Sequence, residues 1–376
     1  MVHNHNAAVT DRSEISILMR ILVFRLGFLG DTLVSIPALR AIREHFGAAH
    51  IDYLSEAPAT STHVSPRDVL PARGLVDRFL TFSNGSTGMA GVSRISLFLK
   101  VIWGRYDILV YLAPSRRTAK QIRRDMLFFR CAGITRVLGV TQGAPEDFHE
   151  DCSKASEHET DYLLRHLAAQ GIVQREGSKS QADLCLSAGE KAFAGSWIDA
   201  AGIPTDFRRR LFAVGPGSKM QAKKWPTERY EFVVSELIRK YDVWPIIFGG
   251  TEDVVLGQKL IAAWERGTLA AGSMGVRGAA AVLARCLVYL GNDTGTMHLA
   301  AAAGITCVAL FSARDVRGRW EPYGAGHHVF RHRMPCEGCM LEICDRNNEC
   351  LTKTETAEVL NVCGEIILSR ANRTAP

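Results

Sequence analysis

A glycine-rich turn that ends in an acid stands near the beginning of the sequence. Gly27 and Gly30 precede Asp31, directly after the apolar run MRILVFR at residues 19–25, which predicts a buried strand. Glycine permits a tight turn and lets a ligand approach the backbone closely. A carboxylate at the start of the next helix can accept a proton from a bound hydroxyl group, or it can serve only as the N-cap of that helix. The spacing is not G-x-G-x-x-G, so the turn does not predict a dinucleotide site.

A second loop combines small residues with cations. Residues 215–226 read GPGSKMQAKKWP, between a predicted strand and a predicted helix. Backbone amides at a helix N-terminus attract anions, and Ser218, Lys223 and Lys224 add hydrogen-bond donors and positive charge. The loop therefore predicts either a cradle for a diphosphate or an ordinary solvated basic loop. The Walker A spacing is absent.

Two further acids follow later predicted strands. Glu252 comes after a Gly-Gly pair, and Asp293 begins a tight loop in which Thr294 and Gly295 open a helix of small residues. Acids in such positions accept hydrogen bonds from ribose or sugar hydroxyls, and the amides of the loop can bind an anion. The alternatives are a helix cap for Glu252 and a structural role for His298, which lies one turn into the helix.

Four of the ten cysteines lie in one short segment, at Cys336, Cys339, Cys344 and Cys350. The first pair has the C-x-x-C spacing of zinc sites, but the later gaps are irregular. The segment is open to three interpretations: a structural zinc or iron–sulfur site, disulfides, or free thiols at the rim of a cleft. The remaining cysteines stand mostly in apolar contexts, which is typical of reduced, buried thiols.

The composition is typical of a soluble globular protein. The 376 residues are 47% hydrophobic and 22% charged, which excludes a mainly disordered chain. The longest apolar run, residues 299–311, is shorter than the roughly 20 residues of a membrane span. The first residues, MVHNHNAAVTDRSE, lack the features of a secretory signal, so a cytoplasmic location is expected. A net charge of +6 suits anionic ligands or a membrane surface, and no nucleic-acid partner is expected.

Alternating strand and helix patterns must position these loops. Strands are predicted at residues 19–25, 50–54, 106–112, 136–140, 211–214, 243–248, 287–290 and 306–311. Helices are predicted at residues 32–46, 116–131, 157–169, 226–241, 252–265, 279–285, 296–303 and 354–369, the last with Thr352 and Glu355 as a capping box. The alternation predicts an α/β fold of two doubly wound parallel halves. A ligand would lie between them, beyond the carboxyl ends of the strands.

Three motifs, in this order, resemble the heptosyltransferase family of glycosyltransferases, family 9: GDTLVSIPAL at 30–39, KKWP at 223–226 and NDTGTMHLA at 292–300. The resemblance extends over residues 19–365, and the last motif is the most specific. It implies the GT-B fold, in which two Rossmann-like domains face each other across a cleft. It also implies an inverting, metal-independent transfer of a sugar, with ADP-heptose as the expected donor, to a lipopolysaccharide core or related glycan. No cofactor is expected.

The resemblance also implies roles for individual residues. Asp31 becomes the catalytic base. The expected donor-binding residues are Ser218, Lys223, Glu252, Asp293, Thr294, Gly295 and His298. The basic run that begins at Arg116 and Arg117 is either an acceptor-binding surface or a solvated helix face. The expected partners are a nucleotide-diphosphate sugar, an anionic glycolipid or oligosaccharide acceptor, and the inner membrane as a peripheral contact.

The expected division is an acceptor-binding domain at 15–180, a nucleotide-sugar-binding domain at 205–355, and a C-terminal helix and tail at 356–376. Two other functions remain as alternatives. The first is a nucleotide-sugar or glycan-binding protein of the same fold without catalysis, which the joint presence of Asp31, Lys223 and Asp293 disfavours. The second is an NAD-dependent oxidoreductase, which the missing glycine fingerprint disfavours.

Overall fold

Two separate sheets, each entirely parallel, organise the chain. The computed structural model describes residues 18–57, 63–83, 90–112, 117–140, 155–174 and 182–373. Across those ranges, no helix has both the length and the apolar character needed to cross a membrane.

The first sheet has the strand order β3-β2-β1-β4-β5. Its strands are β1 (Arg20–Phe24), β2 (His50–Glu56), β3 (Arg78–Phe82), β4 (Ile108–Tyr111) and β5 (Arg136–Leu138). The helices of this half are α1 (Leu29–Val34), α2 (Ile36–His45), α3 (Pro66–Val69), α4 (Ala90–Gly104), α5 (Ala119–Cys131) and α6 (Glu159–Ala168). The central strands are buried along almost their whole length, because helices cover both faces of a parallel sheet.

The second sheet has the strand order β11-β10-β9-β6-β7-β8. Its strands are β6 (Leu211–Gly215), β7 (Trp244–Ile247), β8 (Thr268–Leu269), β9 (Val288–Asn292), β10 (Thr306–Leu310) and β11 (His328–Phe330). The accompanying helices are α7 (Ala188–Ala200), α8 (Thr227–Tyr241), α9 (Val254–Trp264), α10 (Val276–Leu283), α11 (Gly295–Ala302), α12 (Glu349–Thr352) and α13 (Thr356–Arg373). Short 3₁₀ helices occupy 205–207, 221–223 and 251–253.

The two halves share a continuous apolar core. One buried cluster includes Ile21 of the first sheet and Leu211 of the second. Helix α7 packs on α10, where the Arg277 guanidinium forms an ion pair with Glu190 and donates to the Val69 carbonyl at 2.9 Å. The prediction of two doubly wound halves is confirmed, while the expected domain boundaries stay a prediction.

The helix predicted over residues 32–46 is two helices. Helix α1 ends at Val34, Ser35 intervenes, and α2 starts at Ile36. Pro37 is the physical cause, because it has no amide proton to continue the α-helical ladder. The Ser35 hydroxyl donates instead to the Thr32 carbonyl at 2.7 Å.

The capping box predicted for the last helix is wrong. Thr352 ends α12, and its hydroxyl donates to the Glu349 carbonyl at 3.2 Å rather than to the next helix. Helix α13 begins only at Thr356. The sequence patterns also fail to predict several elements: α3, β3, α4, α7, β8, β11 and α12.

Asn292, the last residue of β9, fixes the loop that follows β6. Its buried side-chain oxygen accepts from the Trp225 amide at 3.1 Å and from the Tyr230 hydroxyl at 2.9 Å. Its side-chain nitrogen donates to the Pro216 carbonyl at 2.8 Å. The side-chain amide of Asn292 therefore joins the end of a central strand to both ends of the 215–226 loop.

We predict that Asn292→Ala lowers the free energy of unfolding by about 2–4 kcal/mol, because buried groups that lose their partners keep their desolvation cost. Denaturant unfolding measures the change. The exposed Asn361 on α13 provides a matched control, and Asn361→Ala should change stability by less than about 0.5 kcal/mol. Equal stabilities of the two variants would contradict this role of Asn292.

Candidate functional site

The two halves meet at a pair of glycines. Helix α1 packs on helix α11, and both helices follow the carboxyl ends of strands. A Cβ added at Gly30 would lie 3.0 Å from Cδ2 of His298, and one added at Gly295 would lie 3.0 Å from Cδ2 of Leu29. A side chain at either position would require its neighbour on the facing helix to move by a few tenths of an ångström. This α1–α11 contact, which we call the seam, brings the helix that carries Asp31 onto the start of α11, directly after Asp293.

Asp31 is the third residue of α1 and not its N-cap, which is Phe28. Its Oδ2 accepts from the Phe28 amide at 3.0 Å, and its Oδ1 lies 3.6 Å from Nη2 of Arg25. The side chain keeps 22% exposure. Burial raises the pKa of Asp31 above the ordinary carboxyl value, against the opposing effect of Arg25. The carboxylate therefore both caps its helix and presents a basic oxygen at the seam.

Gly27 makes room for this carboxylate. Its φ of 118° lies in the region that favours glycine. A Cβ at this position would come within 2.2 Å of Cγ of Asp31. In the glycine-rich turn predicted from the sequence, Gly27 therefore lets the backbone fold back over the Asp31 carboxylate.

A buried bridge of charges connects Asp31 to the second half. Arg25 Nη1 donates to Oε1 of Glu159 at 3.2 Å, and Arg319 Nη1 lies 3.5 Å from Oε2 of the same carboxylate. Glu159 is fully buried, at 0% exposure, and both arginines are nearly so. Arg25 also donates from Nε to the Asp31 carbonyl at 3.3 Å. Charges this deep stay ionised only when they are paired.

The start of α6, which carries Glu159, is bonded to the second half by its backbone. The Glu159 amide donates to the Arg319 carbonyl at 3.1 Å, and the Ser156 amide donates to the Arg317 carbonyl at 2.8 Å. His158 accepts from the Thr160 amide through Nδ1, so its Nε2 carries the proton that it shares with the Glu321 carbonyl at 3.0 Å. Burial lowers the pKa of His158, which agrees with a neutral ring.

Lys223 lies between two buried carboxylates. Its Nζ is 2.6 Å from Oδ2 of Asp293 and 2.9 Å from Oδ2 of Asp315, which also pairs with Arg314 at 2.9 Å. Burial alone would lower the pKa of Lys223, but the two carboxylates outweigh it and raise the pKa. Burial raises the pKa of Asp293, opposed by Lys223 and reinforced by Asp315. The ammonium of Lys223 is therefore charged. It can exchange one of its two carboxylate partners for an incoming anion.

The loops after β6 and β7 are in direct contact. A Cβ at Gly217 would lie 1.9 Å from Oδ1 of Asp253, whose Oδ2 accepts from the Gly250 amide at 3.0 Å. Burial raises the pKa of Asp253, and this hydrogen bond opposes the shift. Ser218 accepts from the Met220 amide at 3.2 Å. Two predicted donor-binding residues, Ser218 and Glu252, therefore lie in neighbouring loops, with Glu252 exposed at the edge.

Helix α11 presents its N-terminus at the seam. Thr294 is its N-cap and Gly295 its first residue, so the first amides have no intrahelical acceptor. His298 is buried in the first turn, and burial, with His158 and Lys223 nearby, lowers its pKa to about 3. The ring is therefore neutral at ordinary pH. It can donate or accept a hydrogen bond but adds no charge.

The predicted acceptor-binding arginines are only partly described. Arg116 lies outside the described residues. Arg117, just before α5, forms an ion pair with the buried Asp125, which also accepts from the Tyr111 hydroxyl at 2.8 Å. Arg117 is therefore committed to a buried carboxylate, which favours a structural role for it.

The four-cysteine segment packs against the buried core of the second half, to which Cys336 and Cys350 contribute. All four of its thiols are free, with Cys350 buried and the others half-buried. Within the part of the chain that the structure describes, no three or more histidine, cysteine, aspartate or glutamate side chains are grouped so as to hold a metal ion. The Cys344 amide donates to the side chain of Gln221 at 3.0 Å, so the segment borders the 215–226 loop.

The structure thus gathers Asp31, Lys223, Asp293 and the start of α11 at one seam. Sequence reasoning missed Asp315 and the bridge formed by Arg25, Glu159 and Arg319. One usable signal existed: Arg25 is a lone cation at the end of an apolar strand, and such a cation requires a buried partner.

Comparison with known proteins agrees with this arrangement. Residues 158–349 match the family "Glycosyltransferase family 9 (heptosyltransferase)". Lipopolysaccharide heptosyltransferase 2 of Escherichia coli K12 is 25% identical over 310 residues, which are 78% of this chain and 82% of that protein. The Salmonella typhimurium protein of the same name is 31% identical over 137 residues, 34% of this chain and 37% of the relative.

Solved structures show the same fold. The glycosyl transferase family 9 protein from Veillonella parvula superposes with a TM-score of 0.73 at 20% identity, covering 93% of this chain and 98% of that one. The Escherichia coli ADP-heptose lipopolysaccharide heptosyltransferase II gives 0.69 at 20% identity, covering 94% and 100%. The two parallel-sheet halves form the GT-B fold, and the protein is a glycosyltransferase. Its sequence, its fold and the matched residues establish that the chain belongs to glycosyltransferase family 9, the heptosyltransferase family.

Proposed function

We propose that this protein transfers heptose from ADP-heptose to a lipopolysaccharide core or a related glycan, with inversion at the anomeric carbon and without a metal. The seam carries the proposal, because it sets a basic carboxylate on one half against the N-terminus of α11 and Lys223 on the other. The relatives named as lipopolysaccharide heptosyltransferases support the choice of sugar and acceptor.

In the proposed reaction, Asp31 takes the proton of the acceptor hydroxyl. The oxygen of that hydroxyl attacks the anomeric carbon in line as ADP departs. The raised pKa of Asp31 makes it a better proton acceptor than an ordinary carboxylate. Its partial exposure leaves an oxygen open to the acceptor. Arg25 holds the carboxylate in place through the Asp31 carbonyl and side chain.

Positively charged and hydrogen-bond-donating groups of this chain stabilise the negative charge of the departing ADP. Lys223 exchanges a carboxylate partner for the diphosphate, and the free amides at Thr294 and Gly295 donate to it. Asp293, released from Lys223, can then accept hydrogen bonds from the sugar hydroxyls. Ser218 and Glu252 lie in the two adjoining loops, where they are proposed to contact the phosphate and the ribose.

The location proposed for this reaction is the cytoplasmic face of the inner membrane, with the chain in peripheral contact. An anionic glycolipid acceptor would be presented there. The acceptor is proposed to bind the first half, from which Asp31 projects into the seam.

A transfer assay with the Asp31→Asn variant tests the proposal. Wild-type protein should release ADP from ADP-heptose and add one heptose to a heptose-deficient lipopolysaccharide. Asp31→Asn should lower the transfer rate by at least about 100-fold, because it removes the proton acceptor. Its side-chain oxygen can still accept from the Phe28 amide, so the thermal midpoint and the ADP affinity should stay close to wild type.

Two outcomes would count against the proposal. A fully active Asp31→Asn variant would move the base to another residue and leave Asp31 with only its capping role. Wild-type protein that binds ADP-heptose without transferring the sugar would favour a binding protein of the same fold.

A paired lysine substitution tests the donor site. Lys223→Ala should weaken ADP binding by about 10- to 100-fold, since a charge-assisted hydrogen bond to phosphate contributes roughly 1.5–3 kcal/mol. Lys224→Ala is the matched control, because Lys224 is the adjacent and exposed lysine. Calorimetric titration of folded protein measures both affinities. If the two variants bind ADP equally well, Lys223 is not the phosphate contact.

A further inference from the structure

Helices α4 and α5 lie side by side on one face of the first sheet. Both contribute to the same buried cluster, and the rings of Phe98 and Phe128 meet edge to face at 5.5 Å between centroids. Leu97 and Val101 form the buried side of α4. The opposite sides of the two helices form a single outer surface, which we call the α4–α5 surface.

The outer side of α4 is apolar. Ile95, Leu99, Ile102 and Trp103 are exposed, with Ile95 at 63% and Trp103 at 75%. Their spacing of four, seven and eight residues places them on one stripe of the helix. Leu127 on α5 is another exposed apolar side chain, at 64% exposure. Single exposed apolar residues are ordinary, but a contiguous stripe marks an interaction surface.

The charges around this stripe are almost entirely positive. Helix α4 contains no acid, and the one acid of α5, Asp125, is buried in ion pairs with Arg117 and Arg124. The exposed cations on or beside the two helices are Arg94, Lys100, Arg105, Lys120, Arg123 and Arg130. Arg124 is exposed as well, but its guanidinium already pairs with Asp125. An apolar stripe with a basic surround, free of exposed acids on either helix, is complementary to a layer of anionic headgroups over hydrocarbon.

We infer that the α4–α5 surface docks on an anionic lipid bilayer. The side chains of Ile95, Leu99, Ile102 and Trp103 would enter the interface between headgroups and acyl chains, where tryptophan is favoured. The lysine and arginine side chains would extend to the phosphates. A second copy of the same surface is a poorer occupant, because it would place one basic surround against another.

The topology gives this docking a direction. Strand β4 pairs with β1, and α5 starts beyond the carboxyl end of β4. The end of α5 that carries Lys120 and Arg123 therefore lies on the same edge of the sheet as Asp31. A bilayer in contact with this end of α5 would lie beside the mouth of the cleft, which is where the glycolipid acceptor of the proposed function would enter. This last step rests on the proposed function, whereas the docking itself does not. Ile102 and Trp103 lie at the other end of the surface, because α4 ends just before β4 begins.

Vesicle sedimentation without any sugar donor tests the docking. Wild-type protein should bind vesicles of phosphatidylethanolamine and phosphatidylglycerol, should bind phosphatidylcholine vesicles more weakly, and should dissociate as salt rises. The variant Leu99→Ser with Trp103→Ser should bind anionic vesicles at least about 10-fold more weakly, because it removes exposed apolar contacts. Trp103 is 75% exposed and Leu99 39%, so the thermal midpoint of the variant is measured first, and binding is compared at a temperature where both proteins are folded.

The matched control is Phe232→Ser with Val255→Ser, which removes two exposed apolar side chains from the second half. It should bind vesicles like wild type. The inference would be overturned if the wild-type protein did not bind anionic vesicles. It would also be overturned if the Leu99/Trp103 variant bound them as wild type does. Light scattering that shows a wild-type dimer separated by the same two substitutions would overturn it as well, because the surface would then bind a second copy.

The outcome is separable from that of the proposed transferase activity. Vesicle binding is measured without ADP-heptose, so it can succeed or fail on its own. With a water-soluble oligosaccharide acceptor, the Leu99/Trp103 variant should retain the wild-type transfer rate. With the glycolipid acceptor in vesicles its rate should fall, and equal rates in vesicles would contradict a role for docking.

Discussion

One buried carboxylate, that of Glu159, joins the two halves at the point where the chemistry is proposed. It lies between Arg25 of the first sheet and Arg319 of the second half, and all three side chains are almost inaccessible to water. Removal of the Glu159 carboxylate would take the shared anion away from two buried guanidinium groups, which is strongly unfavourable. Because Arg25 also contacts Asp31, the position of the proposed base depends on how the halves are joined.

The second half uses the same principle in a looser form. Lys223 is shared between Asp293 and Asp315, so its charge is satisfied before any ligand arrives. A diphosphate can replace one carboxylate at little cost, because the cation is already desolvated and oriented. The tight contacts at Gly30 and Gly295 then keep the start of α11 close to α1. The proposed base and the proposed phosphate-binding cation are thus held in position on opposite sides of one seam.

The sequence predicts the loops well and the connections between them poorly. Asp31 and Asp293 could be found because each follows an apolar strand and a glycine or turn signal, which are local patterns. Glu159 could not, since its partner Arg25 is 134 residues away and a single glutamate at a helix start resembles an ordinary first-turn acid. Helix α4 is apolar on both its inner and outer sides, so it lacks the period that identifies a surface helix.

The pH dependence of transfer by Glu159→Gln tests the central role of the bridge. In wild type the rate should fall as pH drops through the raised pKa of Asp31, whose causes include burial and the charge of Glu159. Glu159→Gln removes that negative charge, so that Asp31 is the remaining carboxylate partner of Arg25 in this bridge. The pKa of Asp31 therefore falls. The acidic side of the pH–rate profile should move to lower pH. The maximal transfer rate should drop about 10-fold or more, because the contact between α1 and α11 is less well fixed. Glu157→Gln, which alters only a surface pair with Arg165, should match wild type. An unchanged rate and an unchanged acidic side of the profile in Glu159→Gln would contradict the account.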